Sequence, residues 1–115
     1  MSTDCLFCRI VAGEIPAAIT HRDEEVLAFK DINPRAPLHQ LVIPARHIPS
    51  LATSRPEDAA ILGRLMLTAA KLARDGGYGE SGFRVVMNAG PDAGQTVFHV
   101  HLHVLAGRPL AWPPG

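Results

Sequence analysis

Cysteine is scarce in this sequence: Cys5 and Cys8 are the only two in 115 residues. Charge of one sign is missing too, since 11 Lys and Arg balance 11 Asp and Glu. No net field therefore recruits nucleic acid or an anionic membrane, and a phosphate-bearing ligand needs local donors. No stretch approaches the roughly 20 apolar residues that a bilayer-crossing helix requires. The opening residues, Met1 to Arg9, carry charges through any apolar run and hold no signal-peptide core. The expected location is the cytoplasm, where a structural disulfide between the two cysteines is not expected. Repeats and linkers are absent, so residues 1–115 read as one domain.

What is present is globular: 47% hydrophobic and 19% charged. Residues Cys5 to Ala12 fit a short helix capped by Thr3 or Asp4 and stopped at Gly13. Ile19 to Phe29 predicts a hairpin turning at Arg22-Asp23-Glu24-Glu25, with His21 a surface residue. Asp31-Ile-Asn-Pro-Arg-Ala-Pro37 is a proline-stiffened loop, and Leu41-Val-Ile43 a short buried strand. Ser54-Arg-Pro-Glu57 reads as a capping box. Beyond it Ile61, Leu62, Leu65, Met66, Ala69, Leu72 and Ala73 share one helical face until Gly76-Gly77. Phe83 to Met87 predicts a strand, Gly90 to Gly94 a glycine-rich loop, and Thr96 to Leu105 another strand. The proline-rich tail from Arg108 cannot be regular structure. Hairpin-linked strands with one long helix imply an α+β domain around an antiparallel sheet.

The segment His99-Val-His101-Leu-His103-Val104 sets three imidazoles on alternate positions of an apolar run. On a strand they crowd one face while Val100, Leu102 and Val104 bury the other. Packing alone explains this poorly, because each buried ring nitrogen needs a partner. Two chemistries suit it: metal binding by H-x-H, or attack by one neutral imidazole that its neighbours orient. Satisfied core histidines are the plain alternative. The loop Gly90-Pro-Asp-Ala-Gly94-Gln-Thr96-Val97 leads straight into the histidines, and glycines let successive amides form an anion-binding concavity. With Thr96 and Asn88 as further neutral donors, phosphoryl transfer fits better than a metal-water hydrolase. Cys5 and Cys8 form a C-x-x-C that is a redox pair, half of a zinc site, or two inert thiols.

Gln95-Thr-Val-Phe-His99-Val-His101-Leu-His103-Val-Leu105 resembles the signature of the histidine triad family, and the likeness runs nearly end to end. It includes Glu14-Ile-Pro16, Leu27-Ala-Phe-Lys-Asp31-Ile-Asn-Pro34, Ala36-Pro-Leu-His39, Leu41-Val-Ile-Pro44 and Trp112-Pro-Pro-Gly115. That ending and Asn88 resemble the Hint branch of nucleoside phosphoramidases; Thr96 is more like the Fhit branch of dinucleoside polyphosphate hydrolases. The resemblance implies a five-stranded antiparallel sheet with one long helix and a short N-terminal helix. It implies a nucleotide hydrolase that cleaves the P–N bond of purine nucleoside phosphoramidates, with His101 forming a nucleotidyl intermediate. His103 then binds phosphoryl oxygens, His39 positions the triad and relays protons, and Thr96 stands near the leaving amine. Asp31 holds the ribose; Phe29, Ile32 and Leu41 line the base pocket. Asn88, Gly94, Gln95, Val97, His99 and Trp112 complete the expected substrate surroundings.

Some bacterial relatives complete a zinc site with two histidines, which are His47 and His99 in this sequence. The resemblance thus implies a structural zinc on Cys5, Cys8, His47 and His99, no organic cofactor, and a homodimer. The alternatives are a Fhit-like hydrolase of P–O–P bonds, a nucleotide-binding regulatory protein with vestigial catalysis, or a zinc hydrolase built on the triad.

Overall fold

A computed structural model describes residues 4–115. In chain order the elements are α1 (Leu6–Val11), β1 (Ile19–Arg22), β2 (Val26–Lys30), β3 (Leu38–Pro44), α2 (Ala59–Asp75), β4 (Phe83–Val86) and β5 (Leu102–Ala106). The strands form one five-stranded sheet in the order β1-β2-β3-β5-β4, every pairing antiparallel. The expected α+β architecture, with its long and short helices, is therefore what the chain adopts. Among the described residues no helix is long and apolar enough to cross a membrane.

Strand alternation explains how the sheet is covered on both sides. Val26, Ala28, Leu38, Val42, Val100, Leu102 and Val104 pack in one cluster with Ile61, Leu65, Ala69, Leu72 and Ala73 of α2. Leu27, Phe29, Leu41 and Ile43 point the other way and pack with Phe7 and Ile10 of α1. His39, Leu41 and Ile43 share a face of β3, since successive side chains alternate. The site lies on this second face, under α1.

Several boundaries differ from the sequence reading. The cap of α1 is not Asp4, and Thr3 lies outside the described residues. The cap is Cys5, whose Sγ accepts the Cys8 N–H at 3.4 Å. The Ser54…Glu57 box does not form: Ser54 Oγ donates to the Leu51 carbonyl, and Asp58 accepts the Arg55 N–H at 2.9 Å. The proline at position 56 opens a 3-10 turn over Pro56–Asp58, and α2 starts only at Ala59. Met66 leaves the buried face and Thr68 joins it. β3 begins at Leu38, so His39 is a strand residue rather than a solvated loop histidine. His21 lies on β1, where it bonds to Asp23 at 2.8 Å.

The last strand is shorter than the expected Thr96–Leu105. The ladder with β3 starts at Leu102, opposite Val42. Upstream, Val100 N–H donates instead to the Ile48 carbonyl at 2.7 Å. His99 and His101 thus precede β5, His99 at a bend, with Val100 in the α2 cluster and both rings against Phe7.

Candidate active site and metal centre

Backbone partners assign the proton on His101 and His39, and His39 in turn assigns it on His103. A carbonyl can only accept, so the 2.8 Å contact from His101 Nδ1 to the His99 carbonyl places the His101 proton on Nδ1. Its Nε2 then carries a free lone pair. Arg35 N–H donates to His39 Nδ1 at 3.0 Å, which puts the His39 proton on Nε2. That proton faces His103 Nδ1 at 2.9 Å, leaving His103 with an N–H on Nε2. One imidazole thus presents a free lone pair and its neighbour an N–H.

Burial disfavours the charged form of His39 and His103. It pushes His103 down to about 4, helped by the His101 and His39 rings beside it. Burial also lowers His39, with Asp31 opposing. The Asp31 carboxylate lies 3.5 Å from His39 Nε2, and its other oxygen accepts the Asn33 N–H at 2.8 Å. Asp31 is thus pinned at the mouth of the relay.

Beside the triad is an apolar pocket of about 420 Å³, lined by Phe29, Asp31, Ile32 and Leu41 together with Leu6, Phe7 and Ile10. The first four are the expected ribose and base contacts, and the structure brings them together. Ile32 is wholly exposed, a position packing does not explain. The α1 contributors were missed from sequence. The signal was available, since an apolar 6-7-10 spacing marks a helix face that must cover something.

The glycine loop differs in detail from the expected anion cradle. Gly94 N–H donates to the Pro91 carbonyl and Gln95 N–H to the Gly90 carbonyl, both at 3.0 Å, so these amides close the turn. The Gln95 side chain is occupied as well, accepting from Gly90 N and donating to the Pro49 and Val97 carbonyls. Among the described residues, the N–H groups of Thr96 and Val97 donate to no protein acceptor. The amides left free for a ligand therefore follow the glycine turn and do not lie within it. Thr96 is exposed and half-buried Asn88 makes no side-chain hydrogen bond among the described residues. Trp112 is exposed on the tail, which Arg84 ties down through the Leu110 and Ala111 carbonyls. The structure does not bring it to the pocket of its own chain.

Four ligand atoms, on Cys5, Cys8, His47 and His99, lie within 4.8 Å of one another. His99 Nδ1 stands 3.4 Å from Cys5 Sγ and 3.5 Å from Cys8 Sγ, while His47 Nδ1 is 3.3 Å from Cys8 Sγ. Around tetrahedral zinc, with bonds near 2.3 Å to sulfur and 2.0 Å to nitrogen, such pairs stand about 3.5 Å apart. His99 Nε2 donates to the Pro44 carbonyl at 2.8 Å, so Nδ1 offers its lone pair to the cluster. Burial and the neighbouring Cys5 push the Cys8 thiol up to about 11. Two thiols beside two imidazole lone pairs fit a soft divalent cation, and the donor set matches zinc.

The profile of the HIT domain matches residues 12–110. This chain belongs to the histidine triad, or HIT, family. It is 53% identical to an uncharacterized HIT-like protein of Synechocystis sp., over the whole length of both chains. Among solved structures, a HIT family hydrolase from Legionella pneumophila superposes with a TM-score of 0.96 at 46% identity, covering 97% of this chain and 100% of that one. A zinc-bound histidine triad family protein from Mycobacterium smegmatis superposes at 0.80 with 40% identity, covering 94% and 78% respectively. In HIT terms, the triad of this chain is His99, His101 and His103.

Proposed function

We propose that this HIT protein hydrolyses purine nucleoside phosphoramidates, releasing a nucleoside monophosphate and an amine. The observation carrying this is the orientation of His101, whose proton is held on Nδ1 by a carbonyl so that Nε2 can attack. In the proposed reaction Nε2 gives its electron pair to the α-phosphorus while the P–N bond breaks. The amine takes up a proton from solvent and leaves past the Thr96 hydroxyl. Water then adds its oxygen to phosphorus and loses a proton to solvent. The N–P bond breaks, and the ring departs neutral with its Nδ1 proton in place. His103 Nε2–H and the Thr96 and Val97 amides face the phosphoryl oxygens as charge develops there. The apolar pocket takes the base, and Asp31 the ribose hydroxyls.

The likeness to a HIT family hydrolase supports hydrolysis. Asn88 and the Trp112-Pro-Pro-Gly115 ending favour the P–N reading over cleavage of P–O–P bonds. We also take the chain to act as a homodimer, because α2 leaves Met66 and Leu67 exposed and edge strand β4 leaves Phe83 exposed. Sedimentation should then give twice the chain mass. Side-by-side turnover of an adenosine phosphoramidate and a diadenosine polyphosphate tests the substrate class. Faster P–N cleavage, with a nucleotidyl adduct trapped on His101, is expected. An adduct on another residue, or none with active enzyme, rejects the mechanism. Faster P–O–P cleavage moves the chain to the Fhit-like reading.

A further inference from the structure

The metal centre and the nucleotide pocket share α1. That helix has six residues, too few to hold its shape unaided. The sulfur that caps it belongs to the metal cluster, as does the sulfur of Cys8 one turn on. Between the two cysteines sit Leu6 and Phe7, part of the pocket wall. The Phe7 ring meets Phe29 edge-on at 5.5 Å, His99 at 5.9 Å and His101 at 5.1 Å. It thus touches the pocket, a metal ligand and the nucleophile at once. His99 makes the second link: its ring faces the sulfurs while its carbonyl holds His101 Nδ1–H.

We propose that the Cys5-Cys8-His47-His99 site governs nucleotide affinity, metal bound there clamping α1 so that Phe7 and the His99 carbonyl hold the pocket wall and the His101 ring in place. This rests on the pocket being a nucleotide site. With metal removed, thiols and imidazoles keep only weak contacts at 3.3–3.5 Å. Phe7 and Ile10 remain in the apolar cluster, so the chain stays folded while the wall and ring lose alignment. Nucleotide binding then has to order them, and that entropy is subtracted from affinity. Phe7 is in this arrangement a positioning residue.

The test is calorimetric titration with AMP and with GMP. It compares protein carrying one zinc per chain, chelated protein, and Phe7→Leu with and without zinc. Near-ultraviolet dichroism establishes that each form is folded at the working temperature. Chelation should raise Kd by about tenfold, equivalent to about 1.4 kcal/mol of binding free energy. Phe7→Leu should keep its zinc and raise Kd comparably, and the same substitution should cost little in chelated protein. An unchanged Kd on chelation, or additive effects of chelation and substitution, overturns the proposal and leaves the nucleotide reading standing. If chelation unfolds the chain, zinc-loaded Phe7→Leu decides, and an unchanged Kd there overturns it. No binding of either nucleotide to zinc-loaded wild type rejects the nucleotide reading and this proposal with it.

Discussion

His39 Nε2 on β3 stands 2.9 Å from His103 Nδ1 on β5. The two residues are far apart in sequence and meet because the β3–β5 ladder pairs Leu41 with His103 and His39 with Leu105, leaving the imidazoles diagonal neighbours on one face. Through this contact the Arg35 amide, which sets the His39 tautomer, also sets which nitrogen of His103 can face a phosphate.

In the proposed mechanism the relay and the nucleophile should therefore separate by magnitude. His101→Ala removes the covalent route, and neither turnover nor a nucleotidyl adduct should be detectable. His39→Ala and Thr96→Ala lose proton handling and orientation, and should keep activity reduced by about 10²- to 10⁴-fold. Equal losses in all three variants, measured as kcat/KM on one phosphoramidate, contradict this division of roles.

Acid should weaken the fold through the same rings. Unfolded histidine takes up a proton near pH 6.5, whereas buried His103 resists until about 4 and buried His39 is also lowered. Between those values the unfolded chain binds more protons, so stability falls as pH drops from about 6.5 towards 4. Urea midpoints across that window should show the decline. In His103→Gln the decline should be shallower, and an identical slope removes His103 as a cause.

Purified protein should carry close to one zinc per chain, and Cys8→Ser should lose it. Elemental analysis below about 0.2 zinc per chain ends the structural-zinc reading, since such a site should be near stoichiometric.

Ile32→Ala should leave thermal stability within about 0.5 kcal/mol, as expected for an exposed side chain. It should still raise KM for a nucleoside phosphoramidate, because Ile32 lines the pocket. A lower melting temperature with unchanged KM makes Ile32 a packing residue.

Gly107 has φ near +98°, and a Cβ there would lie 2.7 Å from Pro37 Cβ. Gly107→Ala should cost about 1–3 kcal/mol and disturb the loop leading into His39. Chemical denaturation measures the first effect and kcat the second.

The α+β class, the hairpin, the long helix and the triad were legible because each follows from a local pattern: period two, period 3.6, or a turn residue. The errors came where a distant partner competed with a local one. Cys5 caps α1 in place of Asp4 while its sulfur faces His99. The strand carrying the histidines is cut short because Val100 donates to Ile48 across a loop. Gln95 spends its amide on the backbone that frames its own turn. The spacing of α1 showed an apolar face, but what that face covers was not legible, since a six-residue helix does not name its partner.

Residue spacing alone determined that three imidazoles share a face and that their partners fill a core, because side-chain direction in an extended chain is a local property. Only the tertiary structure decided which nitrogen of each ring carries the proton and which residues meet at the cluster and the pocket. Those depend on how each ring is turned and on distant groups being brought to it, as strand pairing and loop packing bring the Pro44 carbonyl to His99 and His39 to His103.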